Sequence, residues 1–380
     1  MITARGLNRA TLGRQLLLRR EPLEVAEAVR RMVAVQGQEP ASPYVALWNR
    51  LTRFDPADLD TAFAKQTVVK ATLMRITLHV VHADDHAAMH AAMQPTLRGA
   101  RLGDARFTTS GLTAADADAL VPELLEYAAR PRTTPELLAW LETRTGVAPK
   151  GVWWALRSFA PVLHAPTGGP WSFGQRPSYV AAGMPAVSGS GGAADEALRT
   201  LAWRYLEGFG PASAADLAQF ALVQRSRART VLKALAGDLE PVTGPEGEEL
   251  YDVPGAVRPH TDTPAPPRLM AMWDSVLLAY ADRGRVIPPD YRKLVIRVNG
   301  DVLPTLLVDG YVAGVWRPVE RGIEASAFHP LAEDAWEGLA AEARALHAFL
   351  AGRDPRTYRR YDHWWAKLPD PAEVRLLTTE

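Results

Sequence analysis

The run Thr67-Val68-Val69-Lys70-Ala71-Thr72-Leu73-Met74-Arg75-Ile76-Thr77-Leu78-His79-Val80-Val81 decides the fold class. Its two ends, Thr67 to Thr72 and Ile76 to Val81, are β-rich and read as the two strands of a ribbon. Upstream, apolar residues recur at helical spacing. Leu7 to Leu18 predicts one helix with Asn8 as its N-cap, and Leu23 to Val35 a second that opens near Pro22. Pro43 opens a third through Val45, Leu47, Trp48 and Leu51; Asp55-Pro56 caps a fourth that ends at Phe63. Short helices followed by a two-stranded ribbon form the winged-helix pattern. A further helix follows from about Asp84 to Met93.

A similar order returns twice. Helices over Thr113–Ala129, Thr134–Thr143 and Gly151–Phe159 precede wing strands at Val162–Ala165 and Trp171–Phe173. Small residues from Ala181 to Ala194, with Ser188-Gly189-Ser190-Gly191-Gly192 at the centre, read as a linker. Helices over Glu196–Gly208, Ser213–Phe220 and Ser226–Leu235 then lead to wing strands at Leu239–Val242 and Leu250–Val253. After the proline-rich stretch Pro254–Pro267, the segments Leu294–Val298, Val302–Val308 and Tyr311–Trp316 are β-rich, with Asp309-Gly310 as a hairpin turn. Ala332–Leu350 predicts a long helix. The expected class is therefore α+β: three tandem winged-helix units, at 1–112, 113–187 and 188–262, and a C-terminal β-rich region with a long helix at 263–380.

Composition narrows function. The 43 basic and 43 acidic side chains cancel, which argues against a non-specific DNA coat but not against a local basic cleft. No run of about 18 apolar residues suggests a membrane span, and the N-terminus lacks the apolar core of a signal peptide. The absence of cysteine excludes thiolate chemistry, disulfides and cysteine-bound metal. A cytoplasmic, nucleoid-associated monomer without membrane association, cofactor or metal is expected.

The chemistry centres on Val35-Gln36-Gly37-Gln38-Glu39-Pro40. Residues i and i+2 lie about 200° apart on a helix but share a face in extended backbone. Gly37 and Pro40 favour leaving the helix, so both amides can point into one cleft; an ordinary polar helix end is the other reading. An amide cannot act as a general base, but it can hold water and donate to a substrate. That suits a reaction with an activated leaving group, such as a cationic N7-alkylated purine. Glu39 points the other way in extended backbone.

These segments also carry a resemblance. Leu7-Asn8-Arg9, Val35-Gln36-Gly37-Gln38, Ser42-Pro43-Tyr44-Val45-Ala46-Leu47-Trp48 and Ala71-Thr72-Leu73-Met74-Arg75-Ile76-Thr77-Leu78-His79, in this order, resemble the bacterial winged-helix DNA glycosylases of the AlkZ/YcaQ type. Gly208-Phe209-Gly210-Pro211-Ala212 and Val308-Asp309-Gly310-Tyr311-Val312-Ala313-Gly314-Val315-Trp316 match as well. The resemblance implies three winged-helix units on a β-rich support. It makes Gln36 and Gln38 the catalytic pair of the AlkZ-like branch, whose motif is Gln-apolar-Gln. It further implies double-stranded DNA with bulky alkylated purines as substrate, crosslink unhooking and self-resistance. Gly37 departs from the larger apolar residue usual at the centre of the motif, and Met272-Trp273-Asp274-Ser275 departs from a recurrent acidic stretch.

Arg75, Thr77 and His79, in the strongest matching segment, are candidates to face DNA, as are Arg225, Arg227 and Arg229 on the third helix of the third unit. For the tail with Arg353, Arg356, Arg359 and Arg360, aromatic packing with surface arginines is the better reading. His82, His86 and His90 at i, i+4 spacing can pair on zinc, although a solvated helix face fits them better. Lys65 and Lys70 stand well downstream of the glutamines, so no lysine is expected there as a Schiff-base nucleophile, and a monofunctional glycosylase follows. The alternative is a non-catalytic winged-helix regulator in which glutamine reads adenine edges.

Overall fold

The computed structural model describes residues 1–174, 176–185 and 191–378. The first helix, α1 (Ala4–Arg14), is capped by Thr3, whose Oγ1 accepts from Gly6 N at 3.0 Å. Asn8 is not the cap. It lies within the helix, fully buried, and its Nδ2 donates to Arg285 O and Gly310 O at 2.9 Å each.

The order helix–strand–helix–helix–hairpin then begins. It comprises α2 (Val25–Met32), β1 (Val35–Gln36), α3 (Ser42–Trp48), α4 (Pro56–Ala64), β2 (Val68–Thr72) and β3 (Leu78–His82). The strands form an antiparallel sheet in the order β1-β3-β2. After α5 (Ala83–Leu102) and α6 (Ala105–Thr108), the order recurs as α7 (Ala114–Tyr127), β4 (Arg132–Thr133), α8 (Thr134–Thr145), α9 (Pro149–Phe159), β5 (Val162–Ala165) and β6 (Ser178–Ala181), again with the first strand beside the last. It recurs once more as α10 (Gly191–Phe209), α11 (Ala214–Ala221), α12 (Arg225–Leu235), β7 (Glu240–Thr243) and β8 (Glu249–Asp252), where a single bridge from Ala212 to Tyr251 replaces the first strand. This is winged-helix topology. Helices α7, α8 and α11 start on capping boxes, Thr113 with Asp116, Thr133 with Glu136 and Ser213 with Asp216.

The C-terminal part contributes β9 (Arg268–Leu269), α13 (Arg292–Val295), β10 (Thr305–Val308), β11 (Tyr311–Val319), β12 (Gly322–Ala327), α14 (Glu333–Ala351) and β13 (Glu373–Thr378). Its sheet runs β13-β12-β11-β10-β9. On α14 the buried residues Trp336, Leu339, Ala343, Leu346 and Leu350 fall at steps of three and four, one apolar stripe turned to the sheet. Asp309-Gly310 makes the two-residue turn between Val308 and Tyr311, with both φ angles positive, 47° and 83°.

Three expectations are corrected. The second wing strand of the middle unit is β6, not Trp171–Phe173. Those aromatic residues leave the wing to pack on the first unit, with Trp171 5.0 Å from Tyr44 and Phe173 4.8 Å from Phe63. The stretch expected as a strand at Leu294–Val298 is instead the end of α13, and only Ile296 bridges, to Val302. Gly191 and Gly192, expected in the linker, begin α10; Ser188-Gly189-Ser190 and the expected boundary at 187/188 lie outside the described residues.

Two apolar clusters form the core. One joins Val35, Tyr44, Phe63 and Val80 to the C-terminal sheet and its Trp316 and Trp336. The other joins Val69, Ala71 and Val81 to α9, α10 and α11. The β1-β3-β2 sheet is thus covered on both faces. A buried ion pair reinforces the first contact: Arg50 donates through Nη1 and Nη2 to both carboxylate oxygens of Asp274 at 2.8 Å, and to Gln15 O and Ala46 O. Both side chains are essentially unexposed. Removing one partner leaves a buried charge unpaired. Asp274→Ala is therefore expected to lower unfolding free energy by about 3–5 kcal/mol, read as a lower urea midpoint at unchanged slope.

Candidate active site

Val33 ends α2 in a γ-turn, φ 68° and ψ −56°, closed by Ala34 N donating to Met32 O at 2.8 Å. The chain leaves the helix there and Val35–Gln36 pairs with β3, Val35 opposite Val80 and Gln36 opposite His79. Gly37 N continues the pairing to Leu78 O at 2.8 Å. The backbone at the motif is extended, so the two glutamines can share a side. Gln36 is buried, 3% exposed, whereas Gln38 is exposed. Their amides reach neighbouring groups of β3. Gln36 Nε2 lies 3.3 Å from Thr77 Oγ1, and Gln38 Oε1 lies 3.5 Å from Leu78 N. Thr77 Oγ1 is closer to Met74 O, at 3.1 Å, than to Gln36 Oε1, at 3.5 Å. With the hydroxyl proton on Met74 O, Thr77 accepts from Gln36 Nε2 and Gln36 Oε1 is left to accept from elsewhere.

His79 is fully buried. Its Nδ1 faces Thr77 O and its Nε2 faces Arg75 Nη2, each at 3.1 Å. A carbonyl only accepts and a guanidinium only donates, so His79 carries its proton on Nδ1 and is neutral. Burial, and then Arg75, push its pKa well below the usual value. Arg75 and Ile76 take left-handed backbone at φ 54° and 57°, a conformation that surrounding contacts must hold. One such contact is Arg75 Nη1 donating to Phe220 O at 2.9 Å, at the end of α11. Arg75 and His79 are committed to the protein's own groups. They support the loop carrying Thr77 and are not placed as direct DNA contacts; Thr77 is partly exposed beside Gln36.

A family model described as DNA glycosylase AlkZ-like matches residues 29–349. The chain belongs to the AlkZ-like DNA glycosylase family. Among solved structures it is similar to the Streptomyces sahachiroi DNA glycosylase AlkZ, with a TM-score of 0.76 at 20% identity over 91% of this chain and 96% of that one. That likeness is one of fold. No curated protein matches.

Within this AlkZ-like fold the other expected residues sort by place. Arg225 and Arg229 are exposed on α12, while Arg227 Nη2 donates to Asp195 Oδ1 at 2.5 Å. The histidines do not form a solvated face. His82 caps α5, its Nδ1 accepting from Asp84 N at 3.2 Å, and His86 and His90 are buried where α5 packs on its neighbours. Burial lowers their pKa values to about 3 and about 4. Among the described residues no group of three His, Asp or Glu side chains is placed to hold a metal.

Lys70 had to be found in the structure. It is opposite Val80 in β2, and its Cε lies 3.5 Å from where a Cβ on Gly37 would stand. The expectation that no lysine lies near the motif is therefore wrong: the sheet closes the sequence gap. The register also puts Lys70 with Val35 and Val80 on one face, and Gln36 with His79 and Ala71 on the other. Burial lowers the Lys70 amine to about 8, and its Nζ stands 4.3 Å from the Phe173 ring centre. Glu39 occupies that side too. Its pKa is raised by burial, and Arg360 binds it at 2.6 Å with Tyr361 Oη donating at 3.3 Å. A lone lysine in the apolar run Val68-Val69-Lys70-Ala71 was the only sequence signal.

Two outcomes follow. Because Val80 Cγ2 and Lys70 Cε stand 3.3 and 3.5 Å from a Cβ on Gly37, Gly37→Ala is expected to fold normally. Gly37→Leu should lose about 1–3 kcal/mol by overpacking, and Lys70→Ala should restore part of it in a double-mutant cycle. Second, His79, His86 and His90 are neutral when folded but titrate near 6.5 when unfolded. Below that pH the unfolded chain binds more protons, so stability falls on acidification. Denaturant titrations from pH 7 to pH 5 should show a loss approaching about 1.4 kcal/mol per pH unit for each histidine.

Proposed function

We propose that the protein hydrolyses the N-glycosidic bond of bulky or cationic N7-alkylated purines in duplex DNA, interstrand crosslinks among them. The setting would be repair or self-resistance to a genotoxin. The observation that supports this reading is that the Gln36 and Gln38 amides reach the adjacent residues Thr77 and Leu78, with Gln36 Oε1 left to accept. An alkylated purine departs as a neutral base from a cationic precursor, so the sugar becomes oxocarbenium-like without prior protonation. Water held by Gln36 Oε1 attacks the anomeric carbon and its proton passes to solvent. Gln38, more exposed, orients the sugar or the water. Amide dipoles fixed in place stabilise developing charge with little reorganisation. The cavities of about 620, 480 and 460 Å³ include neither glutamine. A surface approach past exposed Gln38 suits a base that remains tied to the opposite strand and cannot be flipped into a snug pocket.

The proposed enzyme is a monofunctional monomer needing no cofactor, and its product is an abasic site. Lys70 is the nearest amine identified, but its side chain lies across the sheet from Gln36. The regulator alternative is disfavoured because α4, the third helix of the first unit, exposes Ala57, Asp58, Thr61 and Ala64 and no cation, a poor face for a DNA groove. Asp60 on α4 accepts from Ser172 Oγ at 2.6 Å and from Arg353 Nη2 at 2.6 Å, so one side of α4 is engaged by the second unit and the C-terminal part.

Duplex DNA containing N7-methylguanine, or a bulkier N7 adduct, tests the reading by mass spectrometry of free base. Wild type should release base from at least one, and release from neither ends the proposal. Gln36→Ala and Gln38→Ala should each slow single-turnover release by roughly 10²–10³-fold, as loss of one preorganised polar group does; unchanged rates would remove the residues from the mechanism. Borohydride should trap no covalent protein–DNA adduct.

A further inference from the structure

Most arginines described in this chain are paired with carboxylates, in keeping with its zero net charge. One group is not. Among the described residues, Arg75, Arg283, Arg285, Arg292 and Lys293 have no carboxylate oxygen within 4 Å. Arg283 is the most constrained. Its Nη1 donates to Tyr280 O, while its Nε is buried without a hydrogen-bond partner. Burial, and next the charge of Arg292, lower its pKa to about 10. Arg285 stacks on Tyr280 at 3.9 Å and donates to Pro211 O. Arg292 and Lys293 are exposed at the start of α13.

Arg283, Arg292 and Lys293 line a cavity of about 460 Å³ with Ile287, Asp282 and Asp290. The two acids offset the cations only in part, leaving one positive charge in excess among the five charged side chains. The Asp282 carboxylate accepts from Gly284 N at 2.8 Å, and neither acid forms an ion pair with the three. Asp216, the other acid near Arg283, is held by Ser213 and by Ala281 N. A chain of neighbouring side chains links the cluster to the motif. Arg283 is close enough to Arg75 to repel it, Arg75 binds His79, and His79 is the strand partner of Gln36. Cations held together with no carboxylate in ion-pair contact can accept an anion from outside, and the guanidinium fork matches phosphate oxygens.

We propose that Arg283, Arg292 and Lys293 bind a backbone phosphate of the DNA strand next to the nucleotide presented to Gln36 and Gln38. This anchor rests on the reading of the glutamine pair as the reactive centre, but it concerns binding and is tested without base release. A protein of zero net charge has no general attraction for DNA, so local cations of this kind must set its register on the duplex.

Binding of undamaged duplex by the full chain, measured by fluorescence anisotropy over a series of salt concentrations, is the test. Each phosphate contact contributes about −0.9 to the slope of log K against log salt. Arg292→Ala/Lys293→Ala, both exposed, should flatten the slope by about one and weaken binding roughly tenfold at low salt, with Arg283→Ala acting in the same direction. Arg375→Ala, which breaks an exposed pair with Glu333 on the far sheet, controls for loss of one arginine and should change neither. An unchanged slope in the folded double variant overturns the anchor. So does displacement of duplex by inorganic phosphate far below the level at which sulfate of equal ionic strength acts, since the cluster would then be a free-anion site. If wild type releases no base from alkylated duplex yet the slope changes as expected, the anchor stands and the glycosylase reading falls.

Discussion

Two residues of β1 against β3 constrain the rest of this molecule. Val35 opposite Val80 and Gln36 opposite His79 divide the side chains of the motif between two faces, because a strand alternates with a period of two. Val35 and Lys70 are thereby turned to the cluster shared with the C-terminal sheet. Gln36 is turned to His79 and the helical units. Slipping this pairing by one residue would bury Gln36 among valines and put Val35 in its place. The pairing is short, so it depends on supports. Ser275 Oγ donates to Ala34 O at 2.7 Å just upstream, and the Arg50–Asp274 pair fixes the segment that carries Ser275.

The segments that carry the family resemblance meet in space. Asn8 donates to Gly310 O, and Arg9 Nη1 donates to Asp309 O. A Cβ on Gly310 would stand 2.6 Å from Asn8 Oδ1, so the hairpin turn needs glycine both for its φ and for this close approach. Gln15 Nε2 donates to Gly208 O at 2.9 Å. Helix α1 therefore joins the C-terminal hairpin to the end of α10, and the sheet bearing the glutamines is held among all of them. The second unit contributes in another way, by extending its wing over α3 and α4.

Much of this was legible in the sequence. Periodicity and capping residues placed α4, α8, α11 and α14, and Asp309-Gly310 placed the hairpin, since these signals are local. The exit from the helix at the motif was also legible from Gly37 and Pro40, though Val33 with its unexpected γ-turn makes the break. Contacts between distant segments were not legible. Trp171 and Phe173 look like wing residues until Tyr44 and Phe63 are seen beneath them. His82, His86 and His90 look like a solvated stripe until α5 is seen between other helices. Lys70 looks remote from Gln38 until β2 folds back against β3. Each of these depends on which surface a neighbouring element covers, and spacing along one chain carries no such information.

The charge around the motif has a direction. Gln36, Thr77 and neutral His79 form an uncharged face, while Glu39 and Lys70 lie across the sheet. Arg75 and the arginines beyond it make the approach positive. A cationic sugar forming there in isolation would be opposed by that field. Under the proposed anchoring a docked strand would alter it, because a phosphate brought to the cluster would offset part of the repelling charge near the reacting nucleotide. Binding and reactivity would in that case be coupled through electrostatics, the field tolerating an oxocarbenium ion better with DNA in register. Amides suit this arrangement better than carboxylates. A carboxylate on the Gln36 face would pair with Arg75 in the free protein and would need to be freed from it before it could face the sugar, whereas an amide dipole remains in place with or without DNA.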